Sequence, residues 1–600
     1  MVDPSSSPLP DAAAQPGGTD AVERVRAVLA RMGASAHLAE GLVGALGPGA
    51  AEQLGDDPWR LLVLPGVTPE QADYCARRLL GDAASADDPR RGRALVGHLL
   101  RRATRDGHTA IDQTRLAGAL RSLGVRSTEP AMTAALDDGD VLVFEVMPDS
   151  DDDFDGDAVP EMPDPERFFA LARIGLAEQD LGEGLVRLSG TSEPIMDSAT
   201  AAETVEEAAR RLGRPLVPEI AAALVTVALR GVCVLTHGPG AAGGVAEAVS
   251  YAAAIAADSE VGVAVAAPTA RGAAALRERL AAVGAEVDVA SVAALLESHG
   301  PGVYGRGAER PVEAGLVVVT EAMALDVETA AALVDACADG THLVLVADPA
   351  QAPSAAPGQV VTDLIASRTV AVAALPGDPP GPLARLAGGV AEGELEQVEA
   401  PGREVVVVPA DSAGEAAHRA VQLITDSIPR ALRIPADDVQ IITATRGGEA
   451  GADAVNGACK ARLNPGPGAL NGLDPGDRVL LGGHGPGYAP GDTGLLREAG
   501  DDGAVVELAD GTAVTVGDPG HLRPGWAIPV AAAHGGVWPA VVAVFPPETK
   551  GSRPQVYTAL TRAERHLSIV HAAGPALARA VREVPAITRH TRLAEVLREG

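Results

Sequence analysis

The sequence predicts an α/β fold: two parallel-sheet lobes in succession, the second carrying a small β insertion, behind a helical N-terminal region. Two observations predict it. Apolar runs of strand length recur at 232–236, 261–266, 316–319 and 343–346, separated by Ala/Leu-rich helical segments, as fully buried parallel strands require. A second set follows at 404–408, 439–443, 541–545 and 567–570, interrupted at about 474–524 by a stretch rich in Gly, Asp and short Val/Leu runs. Ahead of both, residues 21–126 read as short helices joined by tight turns at Gly47-Pro48-Gly49 and Leu64-Pro65-Gly66-Val67-Thr68, with Leu79, Leu80, Leu95, Leu99 and Leu100 at helical spacing.

At 600 residues the chain is long enough for about four domains at ~150 residues each. The expected division is a disordered leader over 1–20, the helical region over 21–126, and a small helical segment with an acidic linker over 127–165. A first lobe with preceding helices follows over 166–385, then a second lobe over 386–600. Helices are expected at 166–190 and 201–229. Met1–Asp20 lacks the basic and apolar regions of a signal peptide, and no apolar stretch reaches the ~18 residues of a membrane span. Cys75, Cys233, Cys337 and Cys459 are far apart with no CxxC pair, which predicts buried thiols, no disulfide framework, no metal site and a cytoplasmic location.

The formal charge is −33 with 2% aromatics. Such a chain repels phosphate backbones globally, so nucleic-acid binding requires a local basic patch. One exists: between Asp57 and Arg126 twelve arginines face eight acids, a balance of +4. An acidic run from Asp149 to Glu166 follows and reads as a solvated linker. Lys460 and Lys550 are the only lysines. Few aromatics argue against an extended base-stacking groove, and Trp526 and Trp538 read as core. His98, His108 and His534 have no metal-ligand spacing.

The strand at 232–236 runs into His237-Gly238-Pro239-Gly240-Ala241-Ala242-Gly243-Gly244, where backbone N–H groups and the next helix's dipole favour an anion. Ala267-Pro268-Thr269-Ala270-Arg271, Val317-Val318-Val319-Thr320-Glu321, Val346-Ala347-Asp348-Pro349-Ala350-Gln351 and Val556-Tyr557-Thr558-Ala559-Leu560-Thr561-Arg562-Ala563 follow in order. With Asp57-Pro58-Trp59-Arg60-Leu61, Pro65-Gly66-Val67, Asp88-Pro89-Arg90-Arg91, Gly107-His108-Thr109 and Leu463-Asn464-Pro465, this series resembles the RecD-like superfamily 1 DNA helicases, in the branch bearing N-terminal helix-hairpin-helix segments. The resemblance covers about Leu38 to the C-terminus. It implies two RecA-like P-loop NTPase lobes with ATP and Mg²⁺ between them, a β-barrel insertion, and DNA as partner.

Several motif positions depart from the family. Its phosphate loop ends in Gly-Lys-Thr, where this chain has Ala242, Gly243 and Gly244. Its Asp-Glu pair is Thr320-Glu321, and its Gly-Asp-x-x-Gln begins with Ala347. No arginine occurs between Leu375 and Leu383. The Thr-Val-His-Lys-Ser-Gln-Gly motif reads Pro529-Val530-Ala531-Ala532-Ala533-His534-Gly535. Loss of a charge-stabilising donor costs ~10²–10³ in rate, and loss of an arginine finger ~10³–10⁵. The resemblance thus implies a degenerate, non-hydrolysing nucleotide site, with Glu321, Asp348, Gln351 and Arg562 as catalytic remnants and residual nucleotide contacts at Gly238, Pro239, Gly240, Gly243 and Gly244. No cofactor is assigned; ATP with Mg²⁺ applies only if nucleotide binding persists.

The DNA contacts expected are Pro65, Gly66, Val67, Arg77, Arg78, Arg90 and Arg91, with Pro268 and Thr269 in the first lobe. A Pro-Gly-Val turn brings backbone N–H groups to a phosphate without Cβ obstruction and without reading sequence. The expected function is non-hydrolysing DNA binding on a helicase-derived scaffold. The alternatives are an active ATP-dependent DNA helicase of repair or recombination, and a protein-interaction scaffold with no DNA role. Protein partners are not identifiable, and no membrane contact is expected.

Overall fold

The computed structural model describes residues 18–146, 165–377, 379–500 and 503–600. The chain forms two compact units that divide between Gly175 and Leu176. Most of the acidic run and most of the expected leader lie outside the described residues. The last three leader positions are instead the start of helix Gly18–Met32.

In the first unit seven helices, from Gly18–Met32 to Thr128–Asp137, precede or surround a three-stranded antiparallel sheet among the described residues. Its central strand is Glu166–Leu171, flanked by Ile111–Asp112 and Val141–Val146. Residues 166–171 are therefore strand where helix was expected. Glu-Arg-Phe-Phe-Ala-Leu carries two aromatics, which suit a pleated surface, and Phe169 joins the core with Leu29, Leu54, Trp59, Leu95 and Leu116. The helix begins only at Ala172.

The second unit holds two parallel sheets. The first runs, in spatial order, Ala371–Ala374, Val232–Thr236, His342–Ala347, Leu316–Val319, Val263–Ala267 and Val289–Ser291. Leu316–Val319 and His342–Ala347 are buried at every position, which is why they read as unbroken apolar runs rather than alternating ones. The second sheet runs Val405–Pro409, Ala563–His571, Trp538–Phe545, Val439–Thr443 and Ala527–Pro529. The expected 201–229 helix is two, Ser198–Arg211 and Pro218–Leu229; Gly213 at φ +64° ends the first and Pro218 opens the second.

Between Val439–Thr443 and Ala527–Pro529 lies a separate five-stranded antiparallel sheet. It is built from Arg478–Leu481, Thr493–Gly500, Gly503–Leu508, Ala513–Val516 and Leu522–Pro524 around Leu481, Leu496, Val506 and Val516. Lys460 anchors its base: Nζ lies 2.6 Å from Asp474 Oδ2 and 2.7 Å from Asp477 Oδ2. One of the two lysines is thereby structural. Trp526 and Trp538 are both buried, and all four cysteines are buried and unpaired. Among the described residues no helix is long and apolar enough to cross a membrane.

Candidate nucleotide cleft and DNA-contacting hairpin

Strand Val232–Thr236 ends at the C-terminal edge of the first sheet, between Ala371–Ala374 and His342–Ala347. In such sheets a ligand crevice forms beyond the carboxyl ends of the strands. The chain turns there through His237–Ala241, with Gly240 at φ +83°, and enters the long helix Ala242–Asp258. A cleft of about 590 Å³ opens beside this turn, lined also by Thr320, Glu321, Asp348 and Gln351 of the first lobe and by 560–565 of the second. Gly238, Pro239 and Gly240 line it; Gly243 and Gly244 are not part of that lining.

The loop is covered from the other side. A Cβ built on Gly244 would lie 3.0 Å from the Pro376 carbonyl oxygen, and one on Gly240 would lie 3.0 Å from the Ala384 Cβ. A backbone oxygen thus lies close against the first turn of helix Ala242–Asp258. Helix Pro382–Glu392 contributes no cation to the cleft lining: Arg385 is exposed and donates to the Glu399 carbonyl, 3.1 Å away.

The polar residues of the cleft satisfy one another. Arg562, 1% exposed, donates from Nη1 to Glu321 Oε2 at 3.1 Å and to the Gly536 carbonyl at 3.1 Å. Its Nε reaches the Thr558 carbonyl at 3.2 Å and Nη2 the Thr561 hydroxyl at 3.2 Å. Burial alone would raise the Glu321 pKa, but Arg562, His237 and Arg279 pull it down to about 2. Glu321 sits at φ +53°, a left-handed conformation costly for a side chain of this size. Tyr557 donates its hydroxyl to Asp348 Oδ2 at 2.5 Å; burial keeps the Asp348 carboxyl above its ordinary range despite that bond. Gln351 is buried, and the next residue's N–H donates to the Thr558 hydroxyl at 2.9 Å. Glu321, Asp348, Gln351 and Arg562 are therefore brought together in one place, with the carboxylates already hydrogen-bonded by the second lobe.

His534, in the segment before Trp538–Phe545, is buried, and desolvation with nearby Arg562 lowers its pKa to about 3. Thr269 is also buried. It donates its hydroxyl to the Gly535 carbonyl at 3.0 Å and accepts from the Gly272 N–H at 3.1 Å, capping helix Ala270–Ala282. The Thr269 hydroxyl is therefore committed inside the protein. Pro268 is half-buried against Gly535.

In the first unit Pro65 and Gly66 are exposed at the tip of a turn and Val67 anchors it in the core. Gly66 adopts φ +119° with open space where a Cβ would be. Helix Pro69–Leu80 starts immediately after, capped reciprocally by Thr68 and Gln71 at 3.3 and 2.9 Å. Arg77 and Arg78 are exposed on this helix. Arg78 lies 5.9 Å from the centre of the Tyr74 ring, which is 48% exposed. The i, i+4 spacing of Tyr74 and Arg78 is the sequence signal for this aromatic, which sequence reasoning missed.

Arg91 lies inside the unit. It is 6% exposed and binds Asp73 through two bonds of 2.7 and 2.9 Å, with a third to the Leu123 carbonyl at 3.0 Å. Trp59 Nε1 donates to the same carboxylate at 2.8 Å, so the Arg91 guanidinium is committed within the protein. Arg90 is half-committed, 2.8 Å from Asp88 Oδ2 and stacked 5.6 Å from the Trp59 ring. Arg60 and Arg93 likewise pair with Asp57 and Asp138. The basic island is thus smaller at the surface than its count of arginines.

Two successive parallel-sheet lobes with a glycine turn and a cleft between them define the class, a two-lobe P-loop NTPase fold behind a helix-hairpin-helix unit. Comparison with known proteins places it further. Residues 19–110 match the family described as the ATP-dependent RecD2 DNA helicase HHH domain, and residues 221–357 match the AAA domain. The RecBCD enzyme subunit RecD of Mycolicibacterium smegmatis (strain ATCC 700084 / mc(2)155) is 28% identical over 563 residues, covering 84% of this chain and 93% of that protein. Among solved structures, the Pif1 helicase from Candida albicans is 15% identical over 64% of this chain and 98% of its own, at a TM-score of 0.36. The Bacteroides Pif1 helicase in complex with ADP-AlF3 and ssDNA is 13% identical over 56% and 88%, at a TM-score of 0.33. The chain is a relative of the RecD-like superfamily 1 helicases.

Proposed function

We propose that this chain is a DNA-binding protein built on a RecD-like helicase scaffold whose nucleotide site is degenerate and does not hydrolyse ATP. The observation that carries this reading is the Arg562–Glu321 pair, 3.1 Å apart in the cleft. A charge-stabilising arginine bound to the carboxylate that would orient water leaves neither group free for a γ-phosphate. The Gly243-Gly244 pair, with Pro376 against it, supports the same conclusion, since it offers neither an ammonium nor a Mg²⁺-ligating hydroxyl. Lys460 is held by two aspartates and does not line the cleft, and Lys550 lies in a separate groove. Residual nucleotide contacts are confined to Gly238, Pro239 and Gly240.

DNA is proposed as the partner of the first unit, consistent with the RecD2-type helix-hairpin-helix match. The exposed Pro65-Gly66 tip offers the Gly66 N–H to a phosphate beside the N-terminus of helix Pro69–Leu80, and Arg77 and Arg78 neutralise its neighbours. Such contacts read backbone and not base sequence. Unpaired buried cysteines support a cytoplasmic location. The test is ATP turnover and DNA binding measured together on the full chain. Salt-sensitive DNA binding with turnover at background is the expected result. DNA-stimulated turnover of order 1 s⁻¹, within the usual enzyme range, would instead establish an active helicase. Absence of DNA binding would leave a protein-interaction scaffold.

A further inference from the structure

The last part of the chain leaves the second lobe and finishes on the first. Helix Pro575–Glu583 packs in the second lobe through Leu577 and Val581. Residues 584–588 are exposed, Ile587 by 60%. Arg589 then donates from Nη1 to the carbonyls of Ala356 (3.1 Å) and Gly358 (2.5 Å), and from Nη2 to that of Ser354 (2.6 Å). The Arg592 N–H donates to Glu178 Oε1 at 2.9 Å, and its Nη2 to Gln179 Oε1 at 3.0 Å. Helix Leu593–Glu599 buries Leu593, Val596 and Leu597 beside Val360–Ser367, and Val596 sits so close to Gly182 that a Cβ there would overlap it.

The second lobe is therefore attached to the first at two places, by the connection over 375–404 and by this return. Hinge closure in a two-lobe protein requires a few residues that absorb the rotation while the rest moves freely. Here the return anchors on the loop that follows Gln351, one residue stretch away from the cleft wall. Additional ties lie across the cleft itself: Arg562 to Glu321, Tyr557 to Asp348, and Arg279 to Glu564 at 2.7 Å. The Asp492 carboxylate of the β insertion accepts from the Ala270 N–H at 2.7 Å.

We propose that residues 584–600 form a strap that fixes the spacing of the two lobes, with Arg589 pinning the Ser354–Gly358 loop and helix Leu593–Glu599 seated on the first lobe. The strap holds the lobes in one arrangement, so nucleotide does not drive them apart or together. This does not depend on the absence of hydrolysis: a chain that turned over ATP at fixed lobe spacing would overturn the preceding proposal and keep this one.

The test is a distance distribution between spin labels on the full chain carrying Arg210→Cys and Arg430→Cys. These two side chains are 67% and 81% exposed, one on each lobe, and the native cysteines are buried. The intact protein is expected to give a single narrow distance that Mg²⁺ with ATP leaves unchanged. Arg589→Ala is expected to broaden it or add a longer one. Arg589→Lys should fall between, because an ammonium cannot span three carbonyls as a guanidinium does. A protease site inserted at 585–588 and cut after purification opens the strap without changing any contact residue, which covers the case in which Arg589→Ala does not fold. Two distances in the intact chain, a shift with Mg²⁺ and ATP, or one unchanged distance in both the cut protein and a folded Arg589→Ala variant would overturn the proposal.

Discussion

Replacing Asp363 with Asn should make the protein more stable above neutral pH and leave it unchanged in mild acid. Asp363 is 4% exposed on helix Val360–Ser367, beneath helix Leu593–Glu599. Burial raises its pKa from 3.8 to about 7, against hydrogen bonds from Gln359 and Thr591, and the carboxylates of Glu178 and Glu595 add to the rise. Gln359 Nε2 donates to Asp363 Oδ1 at 2.9 Å. Arg589 lies near enough to feel the charge, yet burial outweighs that attraction and lowers the Arg589 pKa to about 10. The folded protein thus favours the protonated acid. Its advantage is complete below the unfolded value, near 4, and is lost as pH rises through about 7. At 1.36 kcal/mol per unit, ~3 units give about 4 kcal/mol as an upper figure. In a unit this large each kcal/mol moves Tm by at most ~2 °C. Thermal unfolding of both proteins should coincide at about pH 3.5, below the unfolded pKa, and separate by several degrees at pH 8, with Asp363→Asn the more stable. Parallel pH profiles, or a wild type that gains stability between pH 5 and 8 relative to the variant, would refute the reasoning.

Further outcomes are expected from the same contacts. Arg562→Ala leaves the partly buried Glu321 without its partner and removes a charge-assisted hydrogen bond, which should cost ~1.5–3 kcal/mol. Because Arg562 holds the Glu321 pKa near 2, its contribution is present above about 4.5 and lost as pH falls through about 2; acid unfolding should show this dependence in wild type and lose it in the variant. Gly244→Thr places a Cβ 3.0 Å from the Pro376 oxygen, which should cost ~1–3 kcal/mol in denaturant unfolding. On the proposed reading, adding Gly243→Lys should give no ATP turnover, since Arg562 stays on Glu321. Arg77→Ala with Arg78→Ala should leave folding intact and flatten the slope of log K against log [salt] for DNA binding by ~1–2, at ~0.9 per phosphate. Arg91→Ala should instead lower stability, which circular dichroism melting separates from a DNA effect.

Much of the architecture could be read from the chain. Strands such as Leu316–Val319 are buried along their whole length, so their sequence is an unbroken apolar run that no surface segment imitates. The glycine turn after Val232–Thr236 and the order of Glu321, Asp348 and Arg562 were legible for a related reason: each sits at a strand or helix end, where local chemistry and position coincide. Strand Glu166–Leu171 was not, because a six-residue amphipathic run next to a twenty-residue helix has no period of its own strong enough to separate it.

The sequence by itself determined the α/β lobes, the β insertion and the helix-hairpin-helix turn. Only the tertiary structure decided what the remaining side chains do. Arg77 and Arg91 are the same residue type in the same basic island, yet one is exposed and the other is closed around Asp73. Arg562 and Glu321 lie 241 positions apart and become one ion pair. Arg589 finds its acceptors more than 230 positions away. Backbone periodicity is a local property, set by neighbours three or four residues off. Charge pairing and burial depend on which surfaces the fold brings together, and one sequence read in isolation carries no distance between them.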